Sequence, residues 1–163
     1  MLAVQLMLYL KYRKPMQLNI RVAKDKDIAA LVDFNQNMAF ETEKKHLDPE
    51  VLTKGVGALV ADPSKGFYLV AELDDQVVGS LMVTTEWSDW RNAVFWWIQS
   101  VYIVPHCRRK GVYAQLYAEV KVLAKEQGNI CGFRLYVETE NIVAQRTYAA
   151  LGMHESHYLM YEE

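Results

Sequence analysis

The chain has 163 residues, of which 52% are hydrophobic and 23% charged, and its formal net charge is −2. The composition is typical of a soluble globular protein. The length is enough for one domain with a full hydrophobic core and too short for two domains of typical size. A charge this close to zero gives no reason to expect a nucleic acid or an anionic membrane as a partner. The two cysteines, Cys107 and Cys131, form no paired framework, which favours a reducing, cytoplasmic setting.

The first fifteen residues, MLAVQLMLYLKYRKP, carry a short apolar run followed by positive charges. The run is far shorter than the ~20 residues that a membrane-spanning helix needs. Its charges follow the apolar part instead of preceding it, and no small-residue cleavage site is present, so no secretory signal is predicted. We interpret residues 1–15 as an N-terminal extension, either a start-site artefact or a short helix packed on the domain. Residues 16–163 then form a single domain.

The first half of the chain mixes strand and helix signals. The pattern predicts a strand at 18–23, a helix capped by Asp25, a polar break at 41–46, a helix starting at Asp48 and Pro49, and two strands at 67–73 and 76–84. Asp25 and Asp48 suit N-caps, because a carboxylate oxygen accepts hydrogen bonds from the first free amides of a helix. Proline at the first helical position supports the second of these helices.

A polar link at 86–92 leads into the most apolar stretch of the chain. Trp87 and Trp90 lie in this link, where an acceptor pocket or a homodimer edge could form, or where the rings simply pack. Residues 95–104 are mostly β-branched or aromatic and predict a central strand. Pro105 ends it, because proline has no N–H to donate. After Gly111 the apolar residues recur at helical spacing.

The junction between this strand and this helix is suited to binding an anion. Arg108, Arg109 and Lys110 precede Gly111, which stands where the helix begins. The first N–H groups of a helix have no partners within it, and the helix dipole adds partial positive charge there. Glycine lets a ligand approach the backbone closely. The junction therefore favours a phosphate or pyrophosphate, and the alternative is a basic helix start that only contacts solvent.

A second strand and helix follow. Residues 132–138 favour a strand, Asn141 opens a helix, and 157–161 is predicted to be the final strand. The element order is strand, two helices, three strands, helix, strand, helix and strand. This order predicts an α/β (α+β) fold in which helices cover a mixed central β-sheet.

Two motifs in these segments resemble those of the GNAT superfamily of acetyl-CoA-dependent N-acetyltransferases. The first, R/Q-x-x-G-x-G/A after a strand, is matched by Arg108 and Gly111, with Tyr113 where Gly or Ala is usual. The second, N-x-x-A-x-x-x-Y-x-x-x-G-F, is matched at Asn141, Ala144, Tyr148 and Gly152, with Met153 for the usual aromatic residue. The resemblance covers roughly residues 19–163. It implies the GNAT acyl-CoA N-acyltransferase fold, with about four helices and a splayed fourth and fifth strand.

The resemblance also implies where acetyl-CoA binds. Its pantetheine arm would pair with backbone groups of Val101 and Ile103, and its pyrophosphate would lie on the junction amides, with Arg108 and Lys110 adding charge. Those amides belong to Arg109, Lys110, Gly111, Val112, Tyr113 and Ala114. The unusual ring of Tyr113 is expected either to narrow the turn or to point outward along the helix.

Asn141 and Tyr148 have a structural and a functional interpretation each. Asn141 is a natural N-cap, and its amide could also contact the cofactor arm. Tyr148 could be a core tyrosine with a satisfied hydroxyl. The resemblance instead implies that Tyr148 is the general acid that protonates the leaving thiolate of CoA. A phenol with a pKa of about 10 holds its proton at pH 7 and can donate it to that thiolate.

The general base is harder to locate. Many GNAT relatives place a glutamate in the central strand, whereas this chain has Gln99 near that position, and an amide cannot accept a proton. The remaining candidates for binding a cationic amine or taking its proton are the carboxylates Glu41, Glu43, Glu86 and Asp89. Each of these could also be an ordinary solvated loop carboxylate. No metal site is expected.

The resulting hypothesis is direct transfer of an acetyl group from acetyl-CoA to a primary amine of a small molecule, peptide or protein. One alternative is a non-catalytic CoA-binding or regulatory module with the same fold. Another is a nucleotide-phosphate-binding protein of a different family, which would leave the second motif unexplained.

Overall fold

The computed structural model describes residues 17–163, and the predicted extension over residues 1–15 lies outside this range. The elements in chain order are β1 (Asn19–Val22), α1 (Ile28–Glu43), α2 (Pro49–Ala61), β2 (Phe67–Leu73), β3 (Gln76–Ser88), β4 (Ala93–Ile103), α3 (Val112–Gln127), β5 (Ile130–Arg134) and α4 (Ile142–Ala150). Short 3-10 turns at Asp25–Asp27 and Pro105–Cys107 precede α1 and the α3 junction. None of the described helices is long and apolar enough to cross a membrane.

The five described strands form one sheet in the order β1-β2-β3-β4-β5. The first four strands are antiparallel, and β5 runs parallel to β4. Asp74 and Asp75 connect β2 to β3 with positive φ angles of 49° and 60°, the conformation that tight two-residue hairpins need. A parallel pair cannot be joined by such a turn, so α3 provides the crossover from β4 to β5. The mixed sheet confirms the predicted fold class.

Helices cover both faces of the sheet. On one face, α1 and α2 pack on β2 and β3 through Leu31, Val56, Leu59, Tyr68 and Val70. On the other face, α3 packs through residues such as Leu116 and Val120, which lie in one core with Leu69, Leu81 and Trp96. The alternation of side chains along each strand supplies an apolar surface to both faces.

The strands β4 and β5 separate part of the way along their length. Their pairing runs from Val94 opposite Ile130 to Trp97 opposite Arg134, and it ends there, although β4 continues to Ile103. Within β4, Ser100 has a φ of +48°, and the register against β3 shifts between Ser80 and Met82. These are the features of a β-bulge, which bends a strand. A gap therefore opens beside the second half of β4, and the predicted splay of the fourth and fifth strands is confirmed.

Several predicted boundaries differ from the structure. β3 continues to Ser88, through part of the predicted polar link, because the β3–β4 hairpin pairs as far as Ser88 and Ala93. α1 extends to Glu43, into the predicted break. β5 ends at Arg134 and not at Glu138, because β4 turns away from it. The final strand predicted at 157–161 does not form within the described chain.

Candidate functional site

The basic turn, residues 108–111, joins the end of β4 to α3. Arg109 and Gly111 both have left-handed backbone conformations, with φ angles of 58° and 80°. Glycine adopts this conformation without strain, whereas at Arg109 it costs about 1 kcal/mol. Backbone strain of this kind is concentrated at ligand-binding turns.

The amides that follow are open to a ligand. The first helical hydrogen bond of α3 runs from the Gln115 N–H to the Gly111 carbonyl. Within the described residues, no carbonyl or side chain accepts from the amides of 109–114. A Cβ built on Gly111 meets nothing within 4 Å. Six consecutive N–H groups without a partner in the described part of the chain, at the positive end of a helix, form a site for an anion.

The side chain of Arg108 binds to the end of α1 and the end of β4. Its Nη2 donates to both carboxylate oxygens of Glu41 at 2.9 and 2.8 Å, and its Nε donates to the Ile103 carbonyl at 2.8 Å. The guanidinium also stacks over the Tyr102 ring at 5.3 Å. The motif arginine is thus neutralised by the end of α1. Neither Arg109 nor Lys110 makes an ion pair with any described residue.

Tyr102 completes this contact between α1 and β4. Its hydroxyl donates to Glu41 Oε1 at 3.2 Å, and its ring packs against Phe34 of α1 at 5.1 Å. Burial, reinforced by the Glu41 charge, raises the pKa of Tyr102. The carboxylate of Glu41 therefore binds both an arginine and a phenol, and it is fixed beside the basic turn.

Tyr113 takes a position that neither sequence expectation described. Its ring is buried, stacks on Tyr117 at 6.1 Å and meets the edge of Tyr148 at 5.5 Å. It therefore neither narrows the basic turn nor points outward along the helix. Its hydroxyl has no described hydrogen-bond partner, and burial raises the pKa of Tyr113 far above its usual range.

Tyr148 lies on α4, next to this aromatic stack. Asn141 caps α4, because its side-chain oxygen accepts from the Ala144 N–H at 3.1 Å. Tyr148 is half-buried and its hydroxyl bonds to no described residue. Burial raises the pKa of Tyr148, so the phenol keeps its proton at neutral pH. The two helices that carry the family motifs, α3 and α4, thus meet through Tyr113 and Tyr148.

Val101 and Ile103 border the gap beside β4. The Val104 N–H donates to the Val78 carbonyl of β3. The backbone groups of successive strand residues point alternately to the two sides, so those of Val101 and Ile103 point away from β3 and into the gap. The Ile103 carbonyl is the one that accepts from Arg108.

The four candidate carboxylates do not converge on one pocket. Glu86 accepts from Arg134 at 2.7 Å and from the Trp97 indole at 2.5 Å, at the point where β4 and β5 separate. Glu41 instead contacts Tyr102, which lies five residues after Trp97 along β4. Five residues of a strand span about 15 Å, so the two carboxylates bind to well-separated points of β4. The other two lie elsewhere: Glu43 pairs with Lys45 at 2.5 Å, and Asp89 accepts from the Trp90 amide in the β3–β4 turn.

Gln99 lies on β4 between Trp97, which contacts Glu86, and Tyr102, which contacts Glu41, and it is next to the bulge at Ser100. Its amide nitrogen donates to the Thr84 hydroxyl at 2.7 Å, and its oxygen accepts from the Tyr136 hydroxyl at 3.5 Å. Tyr136 follows β5, so this contact spans the gap. Tyr102, Tyr136 and Arg134 were not predicted as site residues. The alternation of side chains along a strand could have placed Arg134 beside Trp97. It could not have placed Tyr102, because the bulge at Ser100 changes which sheet face the following side chains occupy.

Comparisons with known proteins identify the family and the fold. The model of the Acetyltransferase (GNAT) family matches residues 28–153. A possible acetyltransferase from Clostridium difficile 630 is 50% identical, with a TM-score of 0.84 over 90% of this chain and 96% of that chain. No curated protein sequence matches the chain.

More distant structures share the fold. A predicted acetyltransferase from Clostridium acetobutylicum, solved with acetyl-CoA, has 19% identity and a TM-score of 0.75, over 90% of this chain and 96% of that chain. AAC(6')-Iy, in complex with the bisubstrate analog CoA-S-monomethyl-acetylneamine, has 15% identity and a TM-score of 0.72, over 90% of this chain and 97% of that chain.

Proposed function

Because the chain belongs to the GNAT acetyltransferase family, it is an acyltransferase that uses acetyl-CoA, and we propose that its acceptor is a primary amine. The amine would belong to a small molecule, a peptide or a protein. The two free cysteines, Cys107 and Cys131, fit a protein of the reducing cytoplasm.

The observation that carries this proposal is the position of the open amides beside the gap. The amides of 109–114 have no described partner and are open to an anion, and the outward backbone groups of Val101 begin a few residues away on the edge of β4. A pyrophosphate would bind the first set, with charge from Arg109 and Lys110, and an extended amide-containing arm would pair with the second. When bound, acetyl-CoA supplies an activated thioester.

Tyr148 is the proposed proton donor for the transfer. The amine nitrogen forms a bond to the acetyl carbonyl carbon, the carbon–sulfur bond breaks, and Tyr148 donates its phenolic proton to the departing sulfur. Burial raises the pKa of Tyr148, so transfer to a thiolate whose conjugate acid has a pKa of about 8.5 is uphill. The hydroxyl would therefore act first as a hydrogen-bond donor to the developing thiolate.

Glu41 is the candidate for holding a cationic acceptor on the α1 side. Its charge is shared with Arg108. Phosphate groups on the basic turn would compete with Glu41 for this guanidinium, which would free the carboxylate for an ammonium group. Glu86 is the second proposed contact, at the base of the gap, and its carboxylate already binds Arg134. Glu43 and Asp89 have weaker support, because they lie away from the gap.

The amine must lose a proton before it can attack. A lysine-like amine with a pKa of about 10.4 is neutral in only about one molecule in 2,500 at pH 7, a cost of roughly 4.6 kcal/mol. Gln99 cannot accept this proton, and its amide is engaged by Thr84 and Tyr136. We propose that water passes the proton to Glu41 or Glu86, or that the enzyme takes up the neutral amine.

The test is an acceptor screen with product identification. Polyamines, amino acids, aminoglycosides and peptides are incubated with acetyl-CoA, thiol release is followed, and each product is analysed by mass spectrometry. We expect one class of primary amines to gain a single acetyl group on nitrogen, at a rate that rises with pH between 7 and 9. Acetylation confined to hydroxyl groups would refute the amine acceptor. An anionic amine as the best acceptor would refute the role of Glu41.

A further inference from the structure

An exposed ion pair lies at the base of the gap, where β4 and β5 separate. Arg134 of β5 donates through Nη1 to Glu86 Oε1 of β3 at 2.7 Å, and the two side chains are 34% and 40% exposed. The second oxygen of Glu86 accepts from the indole of Trp97 at 2.5 Å. Ion pairs this exposed contribute about 1 kcal/mol or less to stability, so bracing the sheet does not account for this one.

Aromatic rings support the guanidinium of Arg134. Its Cζ lies 3.7 Å from the centroid of the Phe95 ring and 5.9 Å from that of the Trp97 ring. Gly132 makes room for Phe95, because a Cβ at this position would lie 2.8 Å from a carbon of that ring. A guanidinium has five N–H groups, and within the described chain only Glu86 accepts from Arg134. The remaining N–H groups are available to a planar anion such as a carboxylate.

A second arginine adds positive charge to the same place. The Cζ of Arg91, in the β3–β4 turn, lies 5.0 Å from the centroid of the Phe95 ring. Arg91 forms no ion pair with any described residue, and Asp89 of the same turn accepts from the Trp90 amide. A carboxylate bound to Arg134 is therefore attracted by a second cation as well.

The ion pair lies on the sheet face that α1 and α2 partly cover. Met82 of β3 packs in the core with these helices, and Glu86 lies on the same face, because side chains four residues apart in a strand point the same way. Trp96 is buried on the opposite face, in the core with α3, so Trp97 lies on the face of Glu86. Because α1 and α2 pack on β2 and β3, Arg134 on β5 stays accessible to an acceptor.

From the ion pair, an aromatic groove between Trp97 and Tyr136 leads along β4 towards the bulge. The two ring centroids are 6.3 Å apart. Further along, Gln99 binds the hydroxyls of Thr84 and Tyr136 at 2.7 and 3.5 Å. Aromatic walls suit an aliphatic chain and also a cation. The groove thus joins the charged end at Arg134 to the part of β4 where the proposed cofactor arm would end.

On the basis of the proposed amine acetylation, we propose that the acceptor is an α-amino acid whose side chain ends in the primary amine that is acetylated. Its α-carboxylate binds the free N–H groups of Arg134, and its α-ammonium binds Glu86. In an amino acid, the nitrogen and the carboxyl carbon are about 2.5 Å apart, a spacing that suits two side chains already 2.7 Å apart. In the free enzyme these side chains pair with each other, and the acceptor replaces that contact with two of its own.

The spacing along β4 sets the length of the acceptor side chain. Val101 would pair with the cofactor arm, so the thioester would lie near Ser100, three residues or about 10 Å after Trp97. A charge-assisted hydrogen bond to the head group takes up about 3 Å of this distance. Three or four methylene groups span most of the rest, about 5–6 Å from the α carbon to the nitrogen.

The transfer itself is the one proposed above, at the side-chain nitrogen. That nitrogen forms the bond to the acetyl carbon, the carbon–sulfur bond breaks, the amine gives up one proton, and CoA leaves as the thiol. The α-nitrogen is held at Glu86, at the far end of the groove, so it should not be acetylated.

The first experiment compares free lysine with three analogues that each lack part of the head group. Cadaverine lacks the carboxylate, ε-aminocaproate lacks the α-ammonium, and pentylamine lacks both. We expect kcat/KM to be highest for lysine or ornithine and to fall about tenfold for the loss of each charged group, because each makes one charge-assisted hydrogen bond. Mass spectrometry of the product should place the acetyl group on the side-chain nitrogen.

Two substitutions assign these charges to residues. Arg134→Gln should remove the preference for lysine over cadaverine, whereas Glu86→Gln should remove the preference for lysine over ε-aminocaproate. Lys54→Gln is the matched control, because it removes a cation from another exposed ion pair, with Glu50 on α2, and it should retain both preferences. Arg134→Lys keeps the charge without the planar fork and should retain only part of the carboxylate preference. It replaces Arg134→Gln if that variant does not fold.

A binding measurement tests the same contacts without turnover. Nε-acetyl-lysine, the expected product, is titrated calorimetrically into the complex of the protein with CoA. Its Kd should rise about tenfold in Arg134→Gln. N-pentylacetamide, which lacks the head group, should bind the unaltered protein at least about tenfold more weakly than Nε-acetyl-lysine does.

Several results would overturn this assignment while a primary amine is still acetylated, and the proposed function would then stand. They are equal use of lysine and pentylamine, use of other amines but not of lysine, acetylation of the α-amine, and unchanged preferences in a folded Arg134→Gln protein. Better use of a lysine blocked at both ends would also overturn it and would indicate a peptide acceptor.

Failure of the proposed function has a different signature. In that case no primary amine of any class is acetylated. Binding of Nε-acetyl-lysine that depends on Arg134 would then still support the head-group site, and absence of that binding would refute the head-group site as well.

Discussion

At the scale of single residues, the proposed site includes two tyrosines, Tyr113 and Tyr148, whose rings are in contact. Tyr113 fills the space between Tyr117 and Tyr148, and its edge-to-face contact with Tyr148 fixes the orientation of that ring. Such aromatic pairs contribute about 0.5–1.5 kcal/mol beyond their burial. A residue that departs from the family pattern thus supports the proposed proton donor, instead of obstructing the basic turn.

Tyr148→Phe tests the proposed acid. The ring and its packing are kept, so the fold should survive, and only the hydroxyl is lost. Because general acids typically contribute about 10²–10⁴-fold, kcat should fall within that range, while the Kd for acetyl-CoA stays within a few-fold. Steady-state turnover and calorimetric titration measure the two quantities. Tyr117→Phe removes a hydroxyl from the same stack and should change kcat less than two-fold. Equal losses in both variants would make Tyr148 a packing residue.

Glu41→Gln tests the contact between α1 and the basic turn. Removing the carboxylate frees Arg108 and removes a negative charge near the anion site, so acetyl-CoA should bind a few-fold more tightly. The same change removes the proposed ammonium contact, so the KM of a cationic acceptor should rise, by about tenfold if one charge-assisted hydrogen bond is lost. Glu43→Gln is the control, because Glu43 lies two residues along the chain and pairs with Lys45. This variant should change neither the affinity for acetyl-CoA nor the KM of the acceptor. Weaker binding of both substrates in Glu41→Gln would show a purely structural role.

The residue types at the site could be recognised from the sequence, but their partners could not. Arg108, Gly111, Asn141 and Tyr148 were identified by spacing within local motifs. The ion pair of Arg108 with Glu41 joins residues 67 positions apart, and the burial of the Tyr113 ring depends on α4. Such contacts follow from tertiary packing, which local periodicity does not encode.

At the scale of elements, the two ends of α3 provide a natural comparison. Gly111 and Gly128 precede and follow the helix and have φ angles of +80° and +81°. A Cβ added to either glycine would meet no other atom within 4 Å. They are therefore equally strained by substitution, and only one of them adjoins the open amides.

Gly111→Asp should lower acetyl-CoA affinity by at least tenfold, because its carboxylate repels the pyrophosphate and competes for the same amides. Gly128→Asp should bind acetyl-CoA normally. Both variants should lose a similar free energy of unfolding, about 1 kcal/mol, from the left-handed backbone. Calorimetric titration and urea denaturation measure the two effects. Normal affinity in a folded Gly111→Asp protein would place the anion site elsewhere.

A second element-scale prediction concerns the start of α1. Arg21 of β1 forms ion pairs with Asp27 at 2.7 Å and with Glu72 of β2 at 2.6 Å. The hydrogen bond from Arg21 holds the pKa of Asp27 below its usual value. A lowered pKa in the folded state stabilises the protein above the unfolded pKa of about 3.9, and this contribution is lost as the pH falls below it.

Asp27→Asn should therefore reduce the free energy of unfolding by about 1.5–3 kcal/mol at pH 7, because it removes one of the two carboxylates that bind the partly buried Arg21. The difference from the unaltered protein should shrink below about pH 4. Urea denaturation across pH 3–7 measures it, with the exposed Asp25→Asn as a control that should have little effect. A difference independent of pH would show that the charge of Asp27 contributes nothing.

Element types were predictable where periodicity and caps agreed. Asp48 and Pro49 open α2 as expected, and Asp48 accepts from the amides of Glu50 and Val51. The boundaries at Ser88 and Arg134 depend on where strand pairing continues or stops, which the neighbouring strands decide. The segment 157–161 has a strand-forming sequence, but a strand also needs a partner edge, and this segment pairs with none of the described strands.

At the scale of the whole molecule, different parts of the chain have different tasks. The antiparallel strands β1–β3, the first half of β4 and the helices α1 and α2 form a scaffold. The splay of β5 from β4, the basic turn and α4 form the proposed donor site. In this arrangement, binding of acetyl-CoA should slow amide hydrogen exchange in the proposed donor site and leave the exchange of the scaffold amides unchanged.

Amide hydrogen exchange with and without saturating acetyl-CoA tests this most directly. Protection should rise at 109–114, where the amides have no described partner, and at 101–103 along the gap, with a smaller rise near Asn141. Amides of α2 should show no change and serve as the internal control. Protection confined to other segments, with 109–114 unchanged at saturation, would contradict the proposed donor site.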